Sequence, residues 1–571
     1  MILDESAIEP GSRLTADVAI VGAGPAGITL ALELAGFGID VILLEAGGRD
    51  YDAAAQDAYA GSVAEDSLHP TPELYRRRML GGSSSIWGGR CVPLDPIDFE
   101  KRPFVPHSGW PFGYEDLEPY YHQAQVWCEA GDYDFTVRGS LGPSAPPTIA
   151  GYNGADFDWD HVDRFSPPTN FGHRYRERLE REVKVRVILG AACLEINQAE
   201  AGPIRRLVMA GRGDRRFTVT ARHYVVSAGG IETVRLLMVS DQSQRGGIGN
   251  ETGNLGRYYM CHLENTIGEF RASPEGRGIS YDIDKTPDDI YLFRKFQLRE
   301  TSQRDQELLN AIFRLHYPVI ADPVHGNAIL SAMYLVKDAI IPEYRRKLAT
   351  IERSARDTLT RDIAFWGRHA LNLARDPIRL AAFSAFWIRR RVLAKRKVPF
   401  VMVPNRQGIY PLDFNLEQAP NPESRIRLND ERDAVGQRRI TVDWRITELD
   451  VRSFIQTIRL LERDLQRSGV GTVKYDPERL EDGIRRSTPV GGHHIGTARM
   501  SATSKEGVVD RDCRVWSCPN LHLAGSAVFP TSGHANPTLT IVALSLRLAG
   551  HLRELTAKDG SLFQDEPSIC A

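Results

Sequence analysis

The feature that most constrains the fold is a glycine-rich turn between a buried strand and a helix. Residues 17–27 read DVAIVGAGPAG, an apolar strand followed by glycines in G-x-G-x-x-G spacing. An apolar helical run follows, and the next apolar strand, at residues 41–45, ends in Glu45, 23 positions after Gly22. This order of strand, turn, helix, strand and acid is typical of a dinucleotide-binding βαβ unit. The sequence therefore predicts an α/β fold that binds a dinucleotide.

Each residue of this fingerprint has a physical role. Gly22 makes the tight turn, Gly24 lets the backbone approach a pyrophosphate, and Gly27 lets the helix pack closely on the strand. The helix begins at about Pro25, and its free N–H groups and positive dipole end face the phosphates. Glu45 is expected to accept the hydroxyl groups of the ribose.

The fingerprint alone does not distinguish NAD from FAD, because both cofactors use it. Three later segments are also rich in glycine and small residues: LGGSSSIWGGR at 80–90, GHHIGTARM at 492–500, and LHLAGSAVFPTSGHANPTLT at 521–540. Together with the fingerprint, they resemble the glucose–methanol–choline (GMC) flavoprotein oxidoreductases in order and separation. The phrases GWPFG at 109–113 and EQAPNPESR at 417–425 place the resemblance nearest to the branch with pyranose oxidase and bacterial glycoside oxidases.

The resemblance implies an α/β fold with two domains. A Rossmann-like FAD-binding domain of GMC type would be joined to an α+β substrate domain that has a large sheet and a helical insertion. The expected FAD-binding pieces are residues 15–112, 175–262 and 485–557. The expected substrate-domain pieces are 113–174 and 263–484, with the helical insertion at 342–398.

The resemblance also implies the reaction and its catalytic pair. Oxidation of an alcohol to a ketone, with hydride transfer to flavin N5, needs a base for the hydroxyl proton and a second polar group on the same oxygen. The family pattern H-x-x-G places the base at His493 and its partner at Asn536. Alignment on the preceding glycines would instead select His494, and that alternative stays open. His534 is close in sequence but is assigned no catalytic role.

Two departures from the family concern the cofactor. Some sugar-oxidising members bind FAD covalently through a histidine before the tryptophan of the second glycine segment. Here that residue is Ile86, before Trp87, so we expect non-covalent FAD. A position that is acidic in the family is Gly525 here, which leaves its backbone as the expected contact. The residues expected to contact FAD are Gly22, Gly24, Pro25, Ala26, Gly27, Glu45, Gly82, Ser83, Gly525 and Thr538.

Composition narrows the possible partners. A chain of 571 residues is expected to form at least two domains, and a net charge of −3 favours neither nucleic acid nor an anionic membrane as partner. The seven cysteines are scattered without metal-ligand spacing, so we expect no metal and a reducing compartment. The first residues are acidic and lack the pattern of a secretory signal. We therefore expect a cytoplasmic protein without membrane association.

The helical insertion departs from this balanced charge. Between Arg345 and Lys397, fifteen lysines and arginines face four acidic residues. Such a segment is either a surface insertion with solvated arginines around a small aromatic core, which we favour, or a basic amphipathic element that meets an anionic partner or lipid headgroup.

For the substrate, we expect a secondary ring hydroxyl of a sugar or glycoside, with oxygen or a quinone-type compound as electron acceptor. One alternative is a non-sugar alcohol or natural-product intermediate. A second is a flavin-binding or electron-transfer subunit without turnover, although such a subunit has no need of both His493 and Asn536.

Overall fold

The computed structural model describes residues 1–199, 202–213, 215–340, 363–403, 405, 407–487, 489 and 492–562. Within these residues, two sheets of eight strands form the framework, and a three-stranded sheet lies beside them. Residues 342–362 of the expected helical insertion lie outside the described part. The expected fold class, α/β with a nucleotide-binding sheet and a second large sheet, is confirmed.

The first sheet is assembled from distant parts of the chain and contains the dinucleotide fingerprint. Its first strands run parallel, with Val18 opposite Val41 and Val21 opposite Leu44. Residues 18–21 and 41–44 of these strands are apolar and buried, as expected for a parallel sheet covered on both faces. The strands in spatial order are Ile2–Asp4, Val185–Leu189, Val41–Glu45, Arg13–Val21, Arg216–Val226, Ile204–Ala210 and Ala192–Gln198, with Leu521–Leu523 also paired to Arg216–Val226.

The second sheet is antiparallel and has its strands from the middle of the chain, apart from one short strand at residues 90–91. The strands in spatial order are Gly471–Lys474, Leu263–Ala272, Ile409–Leu416, Ala311–Leu315, Tyr291–Leu298, Phe157–Phe165 and Arg90–Cys91, with Asp284–Lys285 beside Tyr291–Leu298. The small sheet contains Arg425–Arg432, Arg438–Asp443 and Ser62–Val63. The exact domain bounds given above stay a prediction.

The helices cover these sheets. The fingerprint helix Pro25–Gly36 packs against the last helix, Thr538–Leu562. The last helix is mostly apolar and buried as far as Leu552 and more polar after it. The other helices are Ala53–Asp57, Pro96–Phe99, Glu118–Trp127, Val137–Leu141, Phe171–Arg174, Arg176–Arg181, Gly229–Val239, Glu300–Asp305, Ala328–Ile340, Ile363–Arg375, Pro377–Trp387, Glu448–Arg467 and Pro477–Arg485, with a π-helix at Ile388–Leu393.

A buried ion pair joins parts of the chain that are 315 residues apart. Arg102 donates from Nη1 and Nη2 to the two carboxylate oxygens of Glu417, at 2.8 and 2.5 Å, and neither side chain is exposed to solvent. The backbone N–H of Asn310 donates to the same carboxylate at 3.0 Å. Because Glu417 directly follows a strand of the second sheet, the pair fixes the loop around Arg102 to that sheet.

We predict that Glu417→Gln destabilises the fold by about 3–5 kcal/mol, because it leaves the buried guanidinium of Arg102 without a counter-charge. Urea unfolding followed by intrinsic fluorescence measures the change. The matched control is Glu448→Gln, which removes an exposed carboxylate bound to Arg485 and should change stability little. Equal unfolding midpoints for the two variants would contradict the prediction.

Candidate active site

A cavity of about 610 Å³ lies where the glycine-rich turns of the first sheet meet the second sheet. Every residue expected to contact the cofactor lines this cavity, except Gly27. Its lining includes these residues of the expected set: Gly22, Gly24, Pro25, Ala26, Glu45, Gly82, Ser83, Gly525 and Thr538.

The backbone of the fingerprint turn requires its glycines. Gly22 has φ +105°, a conformation that side chains disfavour. A Cβ on Gly27 would lie 1.9 Å from the carbonyl oxygen of Gly22, so only glycine allows the helix to pack this close to the strand. A Cβ on Gly24 would meet open space, which leaves room for a ligand against the helix N-terminus. The turn therefore has the shape that a pyrophosphate needs.

Glu45 is held at the end of its strand by backbone donors. Oε2 accepts from the N–H of Ala23 and Oε1 from that of Gly47, each at 2.9 Å. Burial raises the pKa of this carboxyl, and these two hydrogen bonds oppose the shift. Each carboxylate oxygen has a further lone pair, so the group can also accept hydroxyl groups of a ribose in the cavity.

The second glycine segment completes the cofactor wall. Gly82 to Ser85 form a short 3-10 turn, and Ile86 and Trp87 line the cavity beyond it. Trp87 is held by a hydrogen bond from Nε1 to the carbonyl oxygen of Thr169 at 3.0 Å. These residues, with the fingerprint turn and Glu45, fit FAD, and the isoleucine offers no atom for a covalent link.

The structure brings the two expected catalytic residues together at the cavity. Nδ2 of Asn536 lies 3.0 Å from Nε2 of His493, although 43 residues separate them in sequence. The other ring nitrogen of His493, Nδ1, lies 2.7 Å from Nδ1 of His262. His262 was not expected from the sequence, because no motif surrounds it and its contact with His493 is formed only in the fold.

The hydrogen bonds assign the proton positions of this chain. Nε2 of His262 lies 3.2 Å from the carbonyl oxygen of Ser532, which can only accept, so this nitrogen carries the hydrogen. Burial, and then the neighbouring His493, lowers the pKa of His262 to about 3, so its ring is neutral and its Nδ1 accepts from Nδ1–H of His493. Nε2 of His493 therefore lacks a hydrogen and accepts from the amide of Asn536.

His494, the alternative base, is engaged in a different buried cluster. Its Nδ1 lies 2.6 Å from the hydroxyl of Tyr259, which also lies 2.8 Å from Nε2 of His69 and 3.4 Å from Sγ of Cys261. Burial, with the charge of Arg76 next, lowers the pKa of His494 well below its usual range. His494 also lines the cavity, but the hydrogen bond of the Asn536 side chain is with His493 and not with His494. Tyr259 is the partner of Nδ1 of His494 and Nε2 of His69, whereas Nε2 of His494 has no hydrogen-bond partner among the described residues.

The wall contributed by the second sheet combines polar and aromatic side chains. Arg90, Glu264, Thr266, His316 and Asp413 present charged or hydrogen-bonding groups to the cavity. Aromatic residues line the same part of the cavity: Phe165, Phe293, Tyr317, Trp387 and Phe400. Such a wall suits a ligand that has several hydroxyl groups and at least one apolar face.

The sequence matches the family described as FAD dependent oxidoreductase over residues 17–309 and the family described as GMC oxidoreductase over residues 420–545. The chain belongs to the GMC-type FAD-dependent oxidoreductases. The first match contains the fingerprint, Glu45 and His262, and the second contains His493 and Asn536. FAD is therefore its cofactor.

Relatives and solved structures agree with this family. The chain is 24% identical to paromamine 6'-oxidase of Streptomyces fradiae, over 93% of this chain and 90% of the relative. A C-glycoside 3-oxidase of Arthrobacter globiformis is 46% identical, but over only 11% of this chain and 12% of its own. The crystal structure of pyridoxine 4-oxidase from Mesorbium loti shares the fold with a TM-score of 0.52 and 16% identity, over 94% of this chain and 99% of that one.

We predict that FAD is held without a covalent bond and depends on Glu45. Acid precipitation should leave all of the yellow colour in the supernatant. Glu45→Ala should weaken FAD retention by about tenfold or more, because hydrogen bonds to a charged group contribute about 1.5–3 kcal/mol each. Flavin fluorescence after ultrafiltration measures the retention.

The control for this change is Glu65→Ala, which removes an exposed carboxylate outside the cavity and should leave FAD retention unchanged. Colour that stays with the precipitated polypeptide would contradict non-covalent binding. Equal FAD loss from both variants would contradict the role of Glu45.

Proposed function

We propose that the protein oxidises a secondary ring hydroxyl of a sugar or glycoside to a ketone. The observation that carries this proposal is the 3.0 Å pair of His493 Nε2 and Asn536 Nδ2 at the wall of the cofactor cavity. When a substrate hydroxyl replaces the direct hydrogen bond between this acceptor and this donor, the acceptor can take its proton while the donor bonds to its oxygen.

The residues of this chain divide the reaction between them. His493 accepts the hydroxyl proton at Nε2, the nitrogen that the hydrogen-bond chain leaves without a hydrogen. Asn536 donates from Nδ2 to the same oxygen and stabilises the negative charge that develops there. The fingerprint turn and Glu45 would hold FAD, which would supply the acceptor for the hydride from the adjacent carbon. Loss of the proton and the hydride together leaves the ketone.

His262 supports the base without contacting the substrate. Because its Nδ1 accepts from His493, the proton of His493 stays on Nδ1 and the unprotonated Nε2 faces the substrate. A neutral, buried His262 holds this arrangement across the pH range in which a histidine base works. The carbonyl oxygen of Ser532 in turn fixes the orientation of His262.

The substrate class is supported by the cavity and by the relatives. The five polar side chains named above line the same cavity as the cofactor turns, and a ligand with several hydroxyl groups can form hydrogen bonds with more of them than a simple alcohol can. Paromamine 6'-oxidase and C-glycoside 3-oxidase, by their names, act on a sugar-containing compound and on a glycoside. Another relative, named 2-methyl-1,2-propanediol dehydrogenase from Mycolicibacterium austroafricanum, represents the non-sugar alternative.

We also infer a cytoplasmic location and reoxidation by oxygen or a quinone-type acceptor. Among the described cysteines, all six are buried free thiols, which agrees with a reducing compartment. In the described part of the chain, no helix is both long and apolar enough to cross a membrane.

Anaerobic mixing of the FAD-loaded protein with sugars, glycosides, diols and simple aliphatic alcohols tests the substrate class. We predict that a pyranose or glycoside bleaches the flavin and yields a keto-sugar, and that simple alcohols react poorly because they form fewer hydrogen bonds with the polar side chains of the cavity wall. Admission of oxygen or a quinone afterwards identifies the acceptor. Bleaching by simple alcohols alone would favour the non-sugar alternative, and no bleaching by any alcohol would favour a flavoprotein without turnover.

Replacement of His493 by alanine is predicted to slow flavin reduction by about 10²–10⁴-fold, the usual contribution of an acid–base group. FAD should stay bound, because His493 is not among the residues that hold the nucleotide. His494→Ala is the matched comparison and should slow the reaction much less. Stopped-flow absorbance measures both rates, and the reverse ranking would move the base to His494.

Two substitutions separate the role of His262 from simple packing. In His262→Asn, Oδ1 takes the approximate place of Nδ1 and can still accept from His493, so flavin reduction should stay near the rate of the unchanged protein. In His262→Phe, a ring remains but the acceptor is lost, and we expect a reduction about tenfold slower or more, with a shifted pH–rate profile. Equal rates and equal pH profiles in the two variants would contradict this role.

A further inference from the structure

A largely exposed apolar helix lies on the surface beside the cavity, with Leu380 and Phe383 packed against the core. Residues 377–387 read PIRLAAFSAFW, and none of them is buried in the described structure. The π-helix Ile388–Leu393 continues the same exposed surface. Ile378 is 84% exposed and Leu393 is 75% exposed, values that are normal for isolated residues but not for a continuous apolar stretch. We call residues 377–393 the surface helix.

The charge around the surface helix has one sign. Residues 363–397 contain nine arginines and lysines and one acidic residue, Asp376. Exposed cations follow the apolar stretch at Arg389, Arg390, Lys395 and Lys397. The guanidinium of Arg390 lies over the ring of Phe386, 4.8 Å from its centre, so charge and apolar surface occur side by side. This combination is typical of helices that lie in a lipid interface.

The surface helix also forms part of the cavity wall. Trp387 and Arg391 line the cavity, and Arg391 is fixed by hydrogen bonds to the carbonyl oxygens of Val398 and Pro399 at 2.5 and 3.1 Å. The surface helix therefore carries the exposed apolar residues and also forms part of the boundary of the cavity.

We propose that the surface helix docks the protein on an anionic lipid surface. Ile378, Phe386 and Leu393 would enter the boundary between headgroups and acyl chains, and the neighbouring cations would bind lipid phosphates. A second copy of the chain is the weaker candidate, because it would place nine basic residues against nine others. The proposal takes up the interpretation of the insertion as a basic amphipathic element and replaces the expectation of a protein without membrane association. The docking is peripheral and needs no spanning helix.

Sedimentation of the FAD-loaded protein with vesicles tests the proposal. Vesicles of phosphatidylcholine mixed with phosphatidylglycerol should bind the protein, and vesicles of phosphatidylcholine alone should bind it at least about tenfold more weakly. High salt should reduce binding to the mixed vesicles, because it screens the cations. Ile378→Ser/Leu393→Ser and Arg389→Glu/Arg390→Glu should each weaken that binding by about tenfold or more.

The matched controls alter exposed residues elsewhere. Val183→Ser removes an apolar side chain that is 87% exposed, and Arg181→Glu reverses an exposed charge, so both variants should bind the mixed vesicles as before. None of the substituted residues lines the cavity, so flavin reduction by a dissolved substrate should be unchanged in all variants and reports correct folding. Flavin reduction tests the proposed function, and vesicle binding tests the docking surface. The two measurements are independent, so failure of one proposal is distinguished from failure of the other.

Absence of binding to the mixed vesicles would overturn the proposal, as would equal binding to neutral vesicles. Undiminished binding by both surface-helix variants would place the contact elsewhere and would also overturn it. Self-association in the absence of lipid, abolished by the same variants, would identify a second copy of the chain as the occupant instead.

Discussion

The bidentate ion pair between Arg102 and Glu417 is the constraint on which the arrangement of the active site depends. Asn310, which donates its backbone N–H to Glu417, also donates from its side chain to Asp95 and Asp98. Burial, and then the charges of Glu417 and Asp95, raises the pKa of Asp98 well above its usual range, which favours a neutral carboxyl beside the charged pair. Several carboxyl groups can thus share one buried region because the guanidinium balances one of them and another retains its proton.

The same region supports the loop that carries Asn536. Thr531 donates to the carbonyl oxygen of Asp98 at 2.8 Å, and the side chain of Asn415 donates to the carbonyl oxygen of His534 at 2.7 Å. The loop between residues 531 and 536 is therefore fixed by the helix Pro96–Phe99 on one side and by a strand of the second sheet on the other. A short separation between His493 and Asn536 follows from this support, and reaction rates are sensitive to such positioning.

The sequence predicts features that depend on neighbouring residues and misses those that depend on the fold. Gly22, Gly27 and Glu45 are predicted because a turn, a close helix packing and a strand end each impose a local residue choice. His262 and Tyr259 could not be predicted, because their partners are 231 and 235 residues away and no spacing rule connects them. For the same reason, the sequence does not decide whether His493 or His494 is the base. Two adjacent side chains are distinguished only by the groups that each one faces in the fold.

The strands of the first sheet come from distant parts of the chain, and this has a consequence for biosynthesis. Its strand Arg216–Val226 is paired on one side with Arg13–Val21 and on the other with Leu521–Leu523, and the helix Thr538–Leu562 covers the fingerprint helix. A ribosome that has released only the first half of the chain has made the pyrophosphate turn but neither its last neighbouring strand nor its covering helix. The nascent polypeptide must therefore keep apolar sheet surface exposed until late in translation, and chaperones that shield such surface have a long interval in which to bind it.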